Sequence, residues 1–150
     1  MDSVRPYEPR DRAGCLALFD SNTPVFFDVS ERDGFVGWLD GLAGLGAPYQ
    51  VIERDGRIVA CGGHAVEPDG VTASLCWGMV DRSLHGTGLG RQLTGARIAA
   101  ARAATGVTAM RLDTSQHTEG FYRRFGFVVQ AVTKDGFAPG IDKYEMRLAF

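Results

Sequence analysis

The sequence predicts an α+β domain built around a mixed, mostly antiparallel sheet. Strand-like segments separated by short turns fill the middle of the chain, an Ala-rich amphipathic helix follows them, and further strands surround a short helix near the C-terminus. The predicted order is β-α-α-β-β-β-α-β-α-β-β, which amounts to about seven strands and four helices. With 150 residues and 45% hydrophobic content, residues 1–150 are long enough for a single core, and no change of composition divides them.

The N-terminal third is predicted to be mostly helical. A short strand over Ser3–Tyr7 ends before Pro9, and apolar residues with helical spacing follow over Asp11–Phe19. Ser30 stands where the N-cap of a second helix is expected. The Gly- and Ala-rich run Gly41–Pro48 is predicted to be a linker. The buried stripe of the second helix would consist of Phe35, Val36, Trp38, Leu39 and Leu42.

Antiparallel strands are predicted in the middle of the chain. Tyr49–Glu53 and Arg57–Val66 flank Asp55-Gly56, a dipeptide that suits a tight type I′ turn because both positions require positive φ. A second turn over residues 67–70 leads into a strand over Val71–Val80. Strands joined by such short turns pair antiparallel.

A long helix and four shorter elements are predicted for the rest of the chain. The helix over Thr87–Ala104 ends at Gly106 and carries arginines that are expected to make its surface locally basic, namely Arg91, Arg97 and Arg102. Its buried face would consist of Leu89, Leu93, Ala96 and Ala100. The remaining elements are a strand over Val107–Leu112, a short helix over His117–Phe125, and strands over Phe127–Thr133 and Lys143–Leu148.

The loop that enters the long helix predicts an anion site. Glycines at alternate positions, Gly86, Gly88 and Gly90, expose backbone N–H groups at the positive end of the helix dipole, where a phosphate can bind. A tight strand-to-helix turn with close packing is the structural alternative. The spacing matches neither GxxxxGK[ST] nor GxGxxG, so a nucleoside-triphosphate P-loop and the dinucleotide fingerprint are not supported.

Two motifs in order resemble the GNAT superfamily of N-acetyltransferases. The segment His85–Gly90 is similar to the [Gln/Arg]-x-x-Gly-x-[Gly/Ala] signature that holds the pyrophosphate of acetyl-coenzyme A, and Phe121–Phe127 looks like the family block [Phe/Leu]-Tyr-x-[Lys/Arg]-x-Gly-Phe. The resemblance covers roughly residues 49–150 and implies a three-layer α/β/α fold. His85 departs from the signature, because it replaces Gln or Arg with a shorter side chain.

The resemblance implies which residues hold acetyl-CoA and which one acts as an acid. The backbone of the last two strand residues would bind the pantetheine arm and the acetyl oxygen, and Arg124 would contact phosphate. The implied cofactor-binding set is Met79, Val80, His85, Gly86, Thr87, Gly88, Leu89, Gly90, Arg91 and Arg124. Tyr122 matches the general acid that protonates the departing thiolate. Core packing is the structural alternative for Tyr122, although Phe121 and Phe125 already provide a packing face.

The acceptor side is less defined in the sequence. The strand position that carries a glutamate base in the histone-modifying branch of the family is Ser74, and His64, Glu67, Glu119 or an ordered water near Ser74 are the substitutes. The acceptor pocket is expected between the N-terminal helices and the sheet, with Phe26, Phe27, His64 and Ser74 as its candidate residues. Core packing, or a hydrogen-bonded structural histidine for His64, is the alternative.

Composition narrows the class of partner. A net charge of −2 provides no general attraction to nucleic acid or membranes, and no run approaches the ~20 apolar residues of a membrane span. Three unpatterned cysteines and a polar N-terminus predict a cytoplasmic protein without a metal site. The expected partners are acetyl-CoA and a small-molecule or peptide amine, with a homodimer implied as a family habit. A catalytically impaired acyl-CoA-binding or sensor module is the alternative function.

Overall fold

The computed structural model describes residues 2–45 and 48–150, and it confirms the predicted α+β class. The strands are β1 (Asp2–Pro6), β2 (Tyr49–Arg54), β3 (Arg57–Val66), β4 (Thr72–Val80), β5 (Ala109–Thr114), β6 (Val128–Ala138) and β7 (Ile141–Ala149). The helices are α1 (Arg12–Ser21), α2 (Arg32–Leu45), α3 (Leu89–Ala103) and α4 (Glu119–Arg123). The element order agrees with the order predicted from the sequence.

The strands form one sheet in the order β1-β2-β3-β4-β5-β7-β6. Neighbours pair antiparallel, except that β4 and β5 are parallel because α3 crosses between them. The β2–β3 turn has positive φ at both Asp55 (51°) and Gly56 (78°), as the type I′ prediction requires. The sheet is therefore mixed and mostly antiparallel, as predicted.

Helices cover both faces of the sheet. On one face, buried residues of α1 and α2 such as Phe19 and Phe35 pack against Val51 and Met79 of the sheet. On the other face, α3 and α4 pack against β3, β4 and β5 through the remaining two core clusters. Burial on both faces accounts for the three layers. Within the described residues, no helix combines the length and apolar character needed to cross a membrane.

Two predictions for the N-terminal third are wrong. Ser30 does not cap α2; Asp28 accepts a hydrogen bond from the Ser30 N–H at 2.9 Å and caps a short 3₁₀ turn from which α2 continues. The segment from Gly41 to Leu45 is the last part of α2 and not a linker, because burial of the helix compensates for the low helix propensity of glycine. Residues 46 and 47 of the predicted linker lie outside the described residues.

The long helix also differs from the prediction. It begins at Leu89, after Gly88, and its buried face is rotated: Ala96 and Ala100 are only half-buried, whereas the buried residues are Leu89, Leu93, Thr94, Arg97, Ile98 and Ala101. Arg97 is 2% exposed, so it does not add to a basic surface. The exposed basic residues of this helix are Arg91 and Arg102.

The two C-terminal strands are longer than predicted. The strand predicted to end at Thr133 runs to Ala138, through a Lys-Asp-Gly sequence that is typical of a turn. A register irregularity between Thr133 and Ala138 accommodates the positive φ of Asp135 (54°), and the actual turn lies at Gly140. β6 is therefore a long, mostly exposed strand at the edge of the sheet.

Candidate active site

The sheet opens between its two parallel strands. β4 pairs with β5 only over Thr72–Ser74, opposite Ala109–Arg111, although β4 continues to Val80 and β5 to Thr114. Beyond Ser74 the two strands diverge, while the other edge of β4 remains paired with β3 as far as Val80. The opening leaves one edge of β4 without a strand partner, so its backbone groups are available to a ligand.

A bulge lies in β4 at this opening. Trp77 and Gly78 stand opposite the single residue Gly62 of β3, and Trp77 has a φ of 44°. The extra residue changes which side chains face α3. Before the bulge, Leu75 packs in the cluster on the α3 face; after it, Gly78 and Val80 face α3 instead. The Trp77 carbonyl accepts a hydrogen bond from the Tyr49 hydroxyl at 2.7 Å, which holds the bulge in place.

The backbone of the last strand residue points into the opening. Asp81 N–H donates to the Val59 carbonyl of β3 at 3.0 Å, so the alternation of a strand turns the N–H and carbonyl of Val80 away from β3. The Val80 carbonyl accepts from Asn22 Nδ2 at 2.9 Å and lies 3.0 Å from His85 Nε2. The Val80 N–H is therefore directed toward the gap between β4 and β5. The Met79 side chain is buried on the α1–α2 face of the sheet, opposite to the face on which the Val80 side chain lies.

The glycine loop leaves the amides of a helix N-terminus uncapped. Gly86 and Gly88 have φ of 79° and 94°, and a Cβ atom at either position would meet nothing within 4 Å. Gly88 is the N-cap of the 15-residue helix α3 and provides no side chain to bind its first amides. Exposed donors at the positive end of a helix dipole are suited to a phosphate group.

Gly90 and its neighbours have other roles in the same loop. A Cβ at Gly90 would lie 3.3 Å from Phe121 Cζ, so Gly90 permits the close approach of α4 to α3. The Thr87 hydroxyl donates to the Leu84 carbonyl at 2.6 Å, and the Leu89 side chain is buried. The Leu89 side chain is therefore not available to a ligand, whereas Thr87 is exposed. Arg91 and Arg124 are both exposed.

Asp81 stabilises the turn at the start of the glycine loop. Its Oδ1 atom accepts from the Ser83 N–H at 2.9 Å and from the Ser83 hydroxyl at 2.7 Å, and its Oδ2 atom pairs with Arg57. The hydrogen bond from the Ser83 hydroxyl, with further help from the Ser83 N–H and Arg57, holds the pKa of the Asp81 carboxyl below its ordinary value against the effect of burial. Asp81 was not among the residues predicted from the sequence, although its Asp-x-Ser spacing is typical of an Asx turn.

Tyr122 lies where α4 meets the opening. Its ring contacts Phe121 edge-on, with 5.1 Å between centroids, and lies on the margin of the core cluster beneath α3 and α4. The expectation that Phe121 and Phe125 alone provide the packing face is therefore incomplete. The Tyr122 hydroxyl lies 3.5 Å from Nη2 of Arg97, a residue predicted to make the surface of α3 basic. The only sequence signal for this burial was its four-residue spacing from Leu93.

Ser74 and Glu67 are joined in the structure. The Ser74 hydroxyl donates to Glu67 Oε1 at 2.5 Å, and Arg111 Nη1 lies 3.3 Å from the same oxygen. This carboxylate stands beside the point where β4 and β5 begin to diverge. Glu119, another of the alternatives, forms an ion pair with Arg123 at 2.8 Å. Ser74 therefore has a carboxylate partner from the end of the neighbouring strand.

His64 is buried on the α3 face. It is 4% exposed, and burial, followed by the positive charge of Arg97, lowers the pKa of its imidazole. The ring is therefore neutral near pH 7 and able to accept a proton. His64 and Ser74 face opposite sides of the sheet, because His64 pairs with Leu75, the residue after Ser74.

The two predicted aromatic residues of the acceptor side lie in different environments. Phe27 packs against Phe19, with ring centroids 5.0 Å apart, and belongs to the margin of the core. Phe26 instead contacts His85 at 5.0 Å and His117 at 5.7 Å between ring centroids. Because His85 follows β4 and His117 precedes α4, Phe26 bridges the two sides of the opening.

Comparison with known proteins identifies the family. Residues 46–129, more than half of the chain, match the acetyltransferase (GNAT) domain family. The chain therefore belongs to the GNAT acetyltransferases, as the two sequence motifs predicted. No curated protein matches it.

Solved structures share the fold over nearly the whole chain. A GNAT-family protein of Desulfovibrio desulfuricans has a TM-score of 0.85 and 25% identity, with 99% of each chain covered. The Salmonella typhimurium protein yncA, solved with its cofactor acetyl-CoA, has a TM-score of 0.78 and 21% identity over 99% of this chain and 94% of that one. A ribosomal-protein-alanine N-acetyltransferase of Brucella melitensis has a TM-score of 0.80 and 20% identity, with 99% of each chain covered.

Proposed function

We propose that this protein transfers an acetyl group from acetyl-CoA to a primary amine by direct attack in a ternary complex. The observation that carries the proposal is the arrangement around one opening in the sheet: the glycine loop follows β4, Tyr122 lies on α4, and β4 and β5 diverge between them. This arrangement has a place for each part of a thioester donor. The presence of acetyl-CoA in a protein of the same fold supports the choice of donor.

The backbone of the loop and of β4 holds the donor in this proposal. The amides after Gly86 and Gly88 bind the pyrophosphate, and positive charge comes from Arg91, close by in sequence, and from Arg124 at the end of α4, which packs against Gly90 through Phe121. The Val80 N–H faces the gap and donates to the pantetheine arm or to the acetyl oxygen. His85 is already engaged with the Val80 carbonyl, so its contribution is to orient this strand end.

The reaction requires one proton donor and one proton acceptor. The amine nitrogen attacks the thioester carbon, the C–S bond breaks, and Tyr122 gives its proton to the sulfur, which leaves as the thiol of coenzyme A. The acceptor nitrogen loses a proton to a base. Two groups support that role in different ways: His64 is buried and neutral, and Glu67 is a carboxylate held by Ser74 beside the opening.

An acyl-enzyme is not part of the proposal. Burial raises the pKa of the Cys76 thiol, which donates to the Ser74 carbonyl with a sulfur–oxygen distance of 3.4 Å. A protonated thiol is a poor nucleophile. The amine therefore attacks the thioester itself. A cytoplasmic location, a peptide or small-molecule acceptor and a homodimer complete the proposal and stay predictions.

The test is release of coenzyme A thiol from acetyl-CoA in the presence of a panel of primary amines. In the wild-type protein at least one amine is expected to accelerate thiol release. Tyr122→Phe is expected to lower kcat by about 100-fold, the usual contribution of an acid catalyst, with little change in acetyl-CoA affinity. Tyr144→Phe, a change of another partly buried tyrosine in β7, is the matched control and keeps full activity.

The sensor alternative predicts a different result. Calorimetry would show tight binding of acetyl-CoA, and no amine in the panel would be acetylated. If ATP binds better than acetyl-CoA, the protein is a nucleotide-binding domain, and both the acetyltransferase and the acyl-CoA sensor hypotheses are excluded. Equal turnover by the wild-type protein and Tyr122→Phe would remove Tyr122 from the mechanism while leaving the transferase function intact.

A further inference from the structure

Arg97 is a buried arginine of α3. It is 2% exposed, and within the described part of the chain its Nε atom has no hydrogen-bond partner. Among residues 2–45 and 48–150, no carboxylate forms an ion pair with its guanidinium, in contrast to Arg5, Arg57 and Arg111, which all have acidic partners. A buried charge without a partner is costly to the folded state, so its presence requires another explanation than stability.

Two glycines make the space for this guanidinium directly at the β4 bulge. A Cβ at Gly78 would lie 2.5 Å from Arg97 Nη2, and a Cβ at Gly62 would lie 3.1 Å from its Cζ. Gly62 and Gly78 face each other across β3 and β4. Arg97 therefore places a positive charge against the strand backbone two residues before Val80, beside the gap in which the thioester is proposed to lie.

The same guanidinium reaches the proposed acid. Nη2 of Arg97 lies 3.5 Å from the Tyr122 hydroxyl, at the long end of hydrogen-bond distances. Hydrogen bonds in active sites are often long without substrate and shorten in the reacting complex. The approach comes from α3, whereas Tyr122 belongs to α4, so this contact is the polar link between the two helices at the opening.

We propose that Arg97 is a positioning residue for acyl transfer: its buried guanidinium orients the Tyr122 hydroxyl and stabilises the negative charge that Tyr122 acquires when it protonates the leaving sulfur. The inference rests on the proposed function. The counter-ion of Arg97 is then the negative charge that forms on the Tyr122 oxygen during the reaction. A cation in a site with little water acts strongly on such a developing charge.

The step balances without a further reactant. A C–N bond forms as the C–S bond breaks, the electron pair of that bond goes to sulfur, and the Tyr122 proton follows it. The resulting phenolate, paired with Arg97, regains a proton from solvent. The proton that the amine loses to its base returns to solvent, so the net products are an amide and coenzyme A thiol.

The kinetic test replaces Arg97 with methionine, an apolar side chain of similar length. Arg97→Met is expected to lower kcat by about 10-fold or more, the usual effect of losing a charged hydrogen bond, while the KM for acetyl-CoA changes by less than about twofold. Arg102→Met, at an exposed arginine of the same helix, is the matched control with unchanged kinetics. Arg97→Gln keeps a planar donor and is expected to retain part of kcat.

A double-mutant comparison separates positioning from general loss of structure. In the Tyr122→Phe background, Arg97→Met is expected to lower kcat by less than about twofold, because the hydroxyl on which it acts is gone. Equal losses in both backgrounds would overturn the proposal. If Arg97→Met does not fold, the same comparison is made with Arg97→Gln.

A spectroscopic readout keeps the inference testable without turnover. The four tyrosines are replaced by 3-fluorotyrosine, and Tyr122→Phe assigns the ¹⁹F signal of Tyr122. Arg97→Met and Arg97→Gln are expected to shift that signal, whereas Arg102→Met leaves it in place. An unmoved Tyr122 signal rejects the inference. If the wild-type protein acetylates no amine but the signal moves, the proposed function fails while the Arg97–Tyr122 contact stands.

Discussion

The two sides of the opening between β4 and β5 present different groups to a ligand: backbone amides on one side and aromatic side chains on the other. On the proposed donor side, the loop around Gly86 and Gly88 exposes backbone amides and has open space where side chains would be. On the proposed acceptor side, Phe27 packs against the rings of Phe19 and Trp77, and Phe26 contacts the ring of His85. A ligand group shared by a whole family can be bound by backbone, whereas an acceptor specific to one protein must be recognised by side chains.

The largest expected effect tests the backbone side of this comparison. Gly88→Asp is expected to weaken acetyl-CoA binding by on the order of 100-fold, because a non-glycine residue at φ 94° is strained and its carboxylate repels the pyrophosphate. Gly56→Asp, at φ 78° in the distant β2–β3 turn, has the same strain and open space and keeps normal affinity. Calorimetry measures both. Normal affinity in Gly88→Asp would break the comparison.

Two phenylalanine-to-alanine substitutions test the aromatic side chains on the proposed acceptor side. Phe27→Ala is expected to lower the free energy of unfolding by about 3 kcal/mol, since it removes a ring stacked on the core residue Phe19. Phe26→Ala is expected to cost only about 1 kcal/mol and to raise the KM of the acceptor amine, because its ring bridges the two sides of the opening. Urea denaturation and steady-state kinetics distinguish the two. A larger stability loss in Phe26→Ala would reverse the assignment.

Acid pH tests how much Asp81 stabilises the start of the glycine loop. The pKa of Asp81 is lower in the folded protein than in the unfolded chain, so its contribution to stability is present at neutral pH and is lost as the pH falls through the folded-state pKa. Asp81→Asn is therefore expected to destabilise the protein by about 1 kcal/mol at pH 7, the usual value of a lost cap. The difference between the two proteins in thermal midpoint should shrink below about pH 4, close to the ordinary aspartate pKa. A constant difference would contradict this role.

The smallest expected effect concerns the thiol beside the opening. Cys76→Ala is expected to leave kcat within about twofold of the wild-type value, because a thiol whose pKa is raised by burial takes no part as a nucleophile. Thiol-release kinetics and a thermal melt are sufficient. A folded Cys76→Ala protein without activity would replace direct attack by an acyl-enzyme.

The same contrast explains how much the sequence could predict. The glycine loop was predictable because the positive φ of Gly86 and Gly88 favours glycine, which leaves a signature in the sequence. The order of strands and helices along the chain followed from the hydrophobic pattern and from turn signals such as Asp55-Gly56. Features that depend on backbone conformation can therefore be predicted from the sequence, because they restrict which residue types occur.

What could not be predicted depends on tertiary contacts. Arg97 is buried because two glycines on other strands make room for it, and its four-residue spacing from Leu93 does not by itself distinguish a buried arginine from an exposed one. The helical conformation of residues 41–45 overrides their glycine content, and β6 continues past Lys-Asp-Gly because its pairing with β7 resumes at Ala138, opposite Ile141. The base is undetermined by sequence for the same reason, since Ser74 and Glu67 meet only across a turn.

The bulge at Trp77 has a consequence for how this chain tolerates changes in length. Removing Trp77 would leave Gly78 opposite Gly62 and Met79 opposite Cys61, so the residues that face α3 would stay the same, and the loss would be the ring that packs against Phe19 and Phe35. An inserted residue without a larger bulge would instead shift the pairing by one position, and Gly78 would no longer face the Arg97 guanidinium. The bulge in β4 is therefore expected to tolerate a deletion better than an insertion, whereas the exposed β6–β7 turn at Gly140 accommodates either.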